Sequence, residues 1–284
     1  MTGTLQSRIS LPVLDKPSGV VLYEGSSNYN GDQIAVIATG LFNKSGNSKT
    51  GNVVQIWIIV ANKSPLEANN QGEDEAICGT CKHRHFRSCY VNLANGPHQV
   101  WQKYHKGGYP KLQLNHATSE LFRDKIVRLG AYGDPSAVPV EVWDCITRVC
   151  SGWLGYTHAW KRCDVRYRNY CMASCDTLEE AQEAMRRGWR PFYVRSKDEP
   201  LPEGFFSCPA SEEAGKRMNC DRCRVCSGGE HIDGKGVPSI IAHGPSWKQS
   251  FFERGMKLMR NKEKYVGVFY VGRKDAPIKF RKDK

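Results

Sequence analysis

Residues 126–135 read IVRLGAYGDP, residues 153–158 WLGYTH, residues 170–176 YCMASCD and residues 190–194 RPFYV. Each is a short apolar run that ends in turn-forming or polar residues, and segments of helical length, 138–149 and 178–187, separate two of the pairs. Strands that alternate with helices predict a parallel sheet with helical crossovers. The alternation resumes as a strand over 237–242, a helix over 246–259 and a last strand over 265–271. The expected fold is α/β, with a partial or complete parallel (β/α) barrel-like core.

Upstream, three β-branched runs at 19–23, 34–39 and 53–60 predict an N-terminal antiparallel β unit. The turn-forming stretch 43–52 loops between the second and third. Residues 64–76 are polar and acidic and read as a linker, and a helix is expected over 91–104 before Gly107-Gly108. The chain thus divides into a β unit with its linker (1–76), a metal-binding core (77–245) and a C-terminal helix, strand and basic tail (246–284).

A chain of 284 residues buries enough core to fold without disulfides, yet it carries 12 cysteines. Residues 1–14 have no apolar segment of signal-peptide type, and no run reaches the roughly 18 to 20 apolar residues of a membrane span. The expectation is a cytoplasmic protein with no membrane partner, whose thiols serve as metal ligands in a reducing compartment. The net charge of +12, with basic residues gathered at 82–87, 162–168, 186–190 and 257–284, points to nucleic acid as a partner.

The strongest motif is Cys208-x11-Cys220-x2-Cys223-x2-Cys226. Three thiolates at two-residue spacing can face inward from one tight loop, and a fourth from an earlier segment completes an S4 set. Zinc and an iron–sulfur cluster both accept it, and spacing does not choose between them. Residues 209–218 read as a helix joining the first ligand to the others. The set is expected as a C-terminal cysteine cluster.

A second group, Cys78-x2-Cys81-x7-Cys89, carries His83 and His85 between its members. Three cysteines can leave an open coordination position, or one of these histidines can fill it. Cys145 and Cys150 read as core thiols.

Ligands of parallel α/β sheets meet the carboxyl ends of the strands. Gly130, Gly133 and Asp134 stand at one such end, where glycine lets the backbone approach a ligand, and Ser174 and Asp176 stand at another. Asp134 and Asp176 are the candidate catalytic carboxylates.

In order and kind these pieces resemble a radical S-adenosylmethionine enzyme. The resemblance spans residues 78–226 and implies that Cys78, Cys81 and Cys89 hold a [4Fe–4S] cluster. It also implies that Gly130, Gly133 and Asp134 contact the methionine amino group, that Ser174 and Asp176 touch the cofactor, and that the later four cysteines hold a further centre. That family's usual spacing is C-x3-C-x2-C, whereas this chain has C-x2-C-x7-C. The whole pattern, including GNSKTG at 46–51 and YTHAW at 156–160, is most similar to an uncharacterised family of phage and plasmid proteins called gene product eighty-eight.

Three functions are therefore expected as alternatives. One is an iron–sulfur, radical-type enzyme acting on nucleic acid or a nucleotide. Another is a zinc-containing base transglycosylase resembling the deazaguanine-inserting enzymes, with Asp134 or Asp176 as nucleophile and His231 or His243 completing the zinc set. The third is a zinc-stabilised nucleic-acid-binding protein without catalysis.

Overall fold

A computed structural model of the protein describes residues 16–43, 49–229, 234 and 236–260. Strands β1 (Gly19–Ser26), β2 (Gln33–Thr39) and β3 (Val53–Val60) form the antiparallel unit expected at the N-terminus. They do not close a sheet of their own. β3 pairs in parallel with β4 (Ile126–Tyr132), which is followed by β5 (Gly152–Thr157), β6 (Met172–Cys175) and β7 (Pro191–Arg195), all parallel. The chain then runs past β7 to an edge strand, β8 (Phe205–Ser207), and returns as β9 (Val237–Ile241) between the two. One nine-stranded sheet results, in the order β1-β2-β3-β4-β5-β6-β7-β9-β8. Among the described residues no pairing joins β8 to β1, so the sheet is open and a complete barrel is not formed.

The expected acidic linker is helical instead. Ser64 caps α1 (Pro65–Gln71), its hydroxyl accepting from the Glu67 amide at 3.2 Å, Pro65 opens the helix, and Gly72 closes it in the left-handed conformation at φ 80°. A short α2 (Glu75–Cys78) and α3 (Lys82–Phe86) follow, then α4 (Gly96–His105), which starts at its Gly-Pro pair rather than at residue 91. After a turn, α5 (His116–Ser119), the crossovers are α6 (Val140–Thr147) and α7 (Leu178–Arg186), close to their expected bounds. Residues 209–218 form turns, not a helix. Glu213 is drawn to the sheet, bonding Arg195 at 2.9 Å and the Ile241 amide at 3.1 Å, and Gly215 and Lys216 take positive φ. A one-turn α8 (Cys220–Cys223) and the long α9 (Ser246–Arg260) complete the described elements. The last strand expected at 265–271 lies outside the described residues.

Alternation along the parallel strands divides the sheet into two faces. Val127 and Leu129 join Trp143 and Ile146 of α6 in the main core, which also takes in Ile34, Ile37 and Ile58. On the other face Leu154, Phe192 and Ile240 form a smaller core with Cys208 and Cys226. The four-cysteine group therefore packs on the sheet, ahead of β9 and α9, and is not a C-terminal appendage. Among the described residues no helix is long and apolar enough to cross a membrane.

Candidate metal centre and substrate cavity

The second face of the sheet is the wall of a cavity of about 350 Å³. Arg128, Gly130 and Tyr132 of β4, Tyr156 of β5, Ser174 of β6 and Phe192 and Val194 of β7 line it, as their two-residue spacing requires. Both cysteine groups open onto this one cavity, together with Gly133 and Asp134.

The first group is shaped by a buried ion pair. Asp74, 3% exposed, accepts from Arg84 at 2.6 Å, and the same guanidinium holds the Gly79 and Gly72 carbonyls at 2.6 and 2.7 Å. The chain is thereby folded back between Cys78 and Cys89. Burial first, and then the negative charges of Asp74, Cys81 and Cys89, push the Cys78 thiol well above its usual range. Burial does the same to Cys89. Enclosed thiols that repel one another's anions are an arrangement that a bound cation relieves.

Around Cys81 lies a polar group whose members the sequence had not brought together. His83 bonds Ser88 Oγ through Nδ1 at 2.8 Å and Asp176 Oδ1 through Nε2 at 3.1 Å. Its ring stands edge-on to His158 and stacks on Phe252 of α9. Burial works against the His158 imidazolium, but Cys81, by charge and hydrogen bond, outweighs it and the net shift is upward. One donor atom from each of His83, His158 and Asp176 lies within 4.8 Å of the others, within reach of a single ion. Lys82 already pairs with Asp176 at 3.0 Å and with Glu180 at 2.9 Å, which neutralises the carboxylate such an ion would need.

Neither candidate catalytic carboxylate is free. Asp176 has no exposed surface; burial would raise its carboxyl, but His83 and Lys82 more than offset this and hold it below the usual range. Asp134 was expected at the mouth of the sheet; it lines the cavity but is 6% exposed. Its Oδ1 accepts from the Ser136 amide at 3.0 Å and hydroxyl at 2.9 Å, and its Oδ2 from the His158 amide at 2.8 Å. It caps the turn 135–137, and its own amide donates to the Ile77 carbonyl at 2.7 Å, beside Cys78. Gly130 and Gly133 take φ 83° and 81°, and a Cβ on Gly133 would stand 2.6 Å from Ile58 Cβ. Both glycines are needed for that turn to lie against β3.

In the second group Cys220 and Cys223 bound α8, and Cys208 and Cys226 line the cavity beside them. Burial and then neighbouring thiolates raise Cys208 and Cys220, while Cys226 is pushed up to about 12 by burial, Cys208, Cys220 and Cys223, against a hydrogen bond from Tyr156. The Cys208 amide donates to Ser239 of β9 at 2.7 Å, and Gly155 of β5 donates to the Cys226 carbonyl at 3.1 Å. Arg190 binds the Val225 and Ser227 carbonyls at 2.9 and 2.8 Å. The polar loop of 43–52 meets α8 at its described end, where the Cys220 and Asp221 amides donate to the Lys49 and Thr50 carbonyls at 3.2 and 3.0 Å.

Beside this group stand Lys49, Arg128 and His243, another set the sequence reading missed. Arg128 donates to the Tyr90 hydroxyl at 2.5 Å, and Lys49 Nζ lies 3.2 Å from His243 Nε2. Desolvation in the cavity and then the charges of Lys49 and Arg128 push the imidazole down to about 4, and the neutral ring accepts a hydrogen bond from Lys49. His231, the other histidine considered for this centre, lies outside the described residues. Cys171 and Cys175 are buried in the main core, away from the cavity, and Cys145 and Cys150 are half-buried, Cys145 within α6 and Cys150 beyond its end.

Comparison of the chain with protein-family models, with curated proteins and with solved structures finds no match in any of the three.

Proposed function

We propose that the protein is an iron–sulfur enzyme of the radical S-adenosylmethionine type acting on a nucleotide or nucleic acid, with Cys78, Cys81 and Cys89 holding one cluster and Cys208, Cys220, Cys223 and Cys226 a second centre. The observation that carries this reading is the opening of both cysteine groups and the Gly130–Asp134 turn onto one cavity. Five parallel strands, β4 to β7 and then β9, bear the cavity on one face, in keeping with a partial barrel.

Both donor sets are built of thiolates, which iron–sulfur clusters accept as readily as zinc does. The turn offers S-adenosylmethionine close backbone approach at Gly130 and Gly133. Asp134, bound to Ser136 and His158, holds this turn in place on the cavity wall. When bound, the cluster and cofactor supply one-electron chemistry; the chain's own residues wall the reaction off from water and position the cofactor. The transglycosylase alternative is weakened because it needs an unpaired Asp nucleophile, and both candidates are engaged. The net charge of +12 supports the phosphate-bearing substrate.

Protein made and purified without oxygen tests the reading by iron and acid-labile sulfide analysis. About eight of each per chain are expected for two [4Fe–4S] centres, with broad absorbance near 400 nm, and Cys78→Ser should remove about half of the iron. Zinc without sulfide would overturn the assignment and favour the zinc-stabilised binding protein.

A further inference from the structure

Two cationic side chains, Arg128 and Lys49, stand on a cavity wall that carries a single carboxylate. Arg128 projects from the middle of β4 into the space between the two cysteine groups. It makes no ion pair with a carboxylate among the described residues, and the one carboxylate on the cavity wall, Asp134, is turned to its own loop. A guanidinium has five N–H donors, and the hydrogen bond that Arg128 donates goes to a neutral phenol, Tyr90, rather than to a cysteine sulfur. Tyr90 in turn packs on the ring of His243 at 5.1 Å, and His243 holds Lys49 at 3.2 Å. Lys49 and the guanidinium fork of Arg128 are thus each held by an aromatic partner, and both line the cavity. Such a fork is suited to two-point binding of a phosphate or carboxylate, and low local polarity strengthens the contact. Next to it Tyr156 and Phe192 meet edge to face at 4.8 Å and offer a flat apolar wall.

We propose that Arg128 and Lys49, the latter held by His243, form an oxyanion subsite that receives the phosphate or carboxylate end of a small substrate whose planar or apolar body lies against Tyr156 and Phe192. The inference rests on the cavity being the substrate site, as proposed above, and is independent of which metal the cysteines hold. A competing role for the two cations is to offset the thiolate charge of the four-cysteine centre, and the two roles separate on metal content.

Calorimetric titration of the metal-loaded protein with AMP, with inorganic phosphate and with benzoate tests the proposal, metal content being measured on the same samples. AMP or benzoate should bind, the better of the two identifying the substrate's acidic group. Arg128→Gln should weaken that binding at least tenfold with wild-type metal content, Arg128→Lys should weaken it less, and raised salt should weaken the wild type. Lys49→Gln, read in the same way, serves if Arg128→Gln fails to fold. Absence of binding by all three probes, wild-type affinity in the Gln variants, or loss of metal in a folded Arg128→Gln protein would each overturn the subsite. Iron and sulfide analysis of these samples judges the radical-enzyme reading separately, because zinc-loaded protein would still bind the anion.

Discussion

Asp134 shows how much a single side chain can settle. Its carboxylate ties the end of β4 to the start of the loop after β5, and its amide ties both to the residue before Cys78. Removing it strands the buried amides of Ser136 and His158, each costing about 1 to 3 kcal/mol when unsatisfied. Asp134→Ala is therefore expected to lower unfolding free energy by about 3 kcal/mol in urea titration. Asp134→Asn should fall between, since its NH2 must face one of the same donors. An Asp134→Ala protein of wild-type stability with abolished activity would restore the free catalytic carboxylate that the sequence suggested. Its role in the structure is that of a positioning residue.

At the scale of elements, neither cysteine group sits on regular structure long enough to hold itself. α2 and α8 are single turns, and the loops around them are pinned by arginines reaching carbonyl oxygens: Arg84 for the first group and Arg190 for the second. Arg190 enters from the start of β7 and fixes Val225 and Ser227 on both sides of Cys226. Arg190→Ala should therefore release the second centre alone, leaving about half of the metal and an intact first group. Metal analysis of wild type, Arg190→Ala and Cys78→Ser side by side checks this, and full metal content in Arg190→Ala would show that the loop holds without its clamp.

Over the whole molecule, the proposed metal centres are expected to support the two cores unequally. The larger core joins β1–β3 to α6 and contains no cysteine of the second group, whereas the smaller one is built around Cys208 and Cys226. Stripping metal with a chelator should lower the melting temperature by at least about 5 °C. Amide exchange should rise in residues 205–241 and remain slow in β2 and β3. Uniform acceleration across the sheet would show instead that the metal centres support the entire fold.

The antiparallel unit, the parallel strands β4 to β7 and helices α6 and α7 could be read from sequence, because short apolar runs and helical spacing are local consequences of burial on one or two faces. The two cysteine groups were legible for a similar reason: ligand spacing within one loop is a local property. Helix α1 was legible too, through the Ser64-Pro65-x-Glu67 start, but its polar composition masked it as linker. Residues 209–218 misled in the opposite sense, since a helical pattern gave way to the long-range pull of Arg195 and β9 on Glu213. What the sequence by itself determined, then, are the strands of the antiparallel unit and β4 to β7, β9 and the main crossover helices, because each is a local pattern of burial. Only the tertiary structure decided that both groups face one cavity, that Asp134 and Asp176 are bound rather than free, and that Arg128 meets Tyr90 and lies near the Lys49–His243 pair. The Arg128–Tyr90 and Lys49–His243 contacts join residues 38 and 194 positions apart, and they arise from strand order and the side on which each strand faces, which no local pattern encodes.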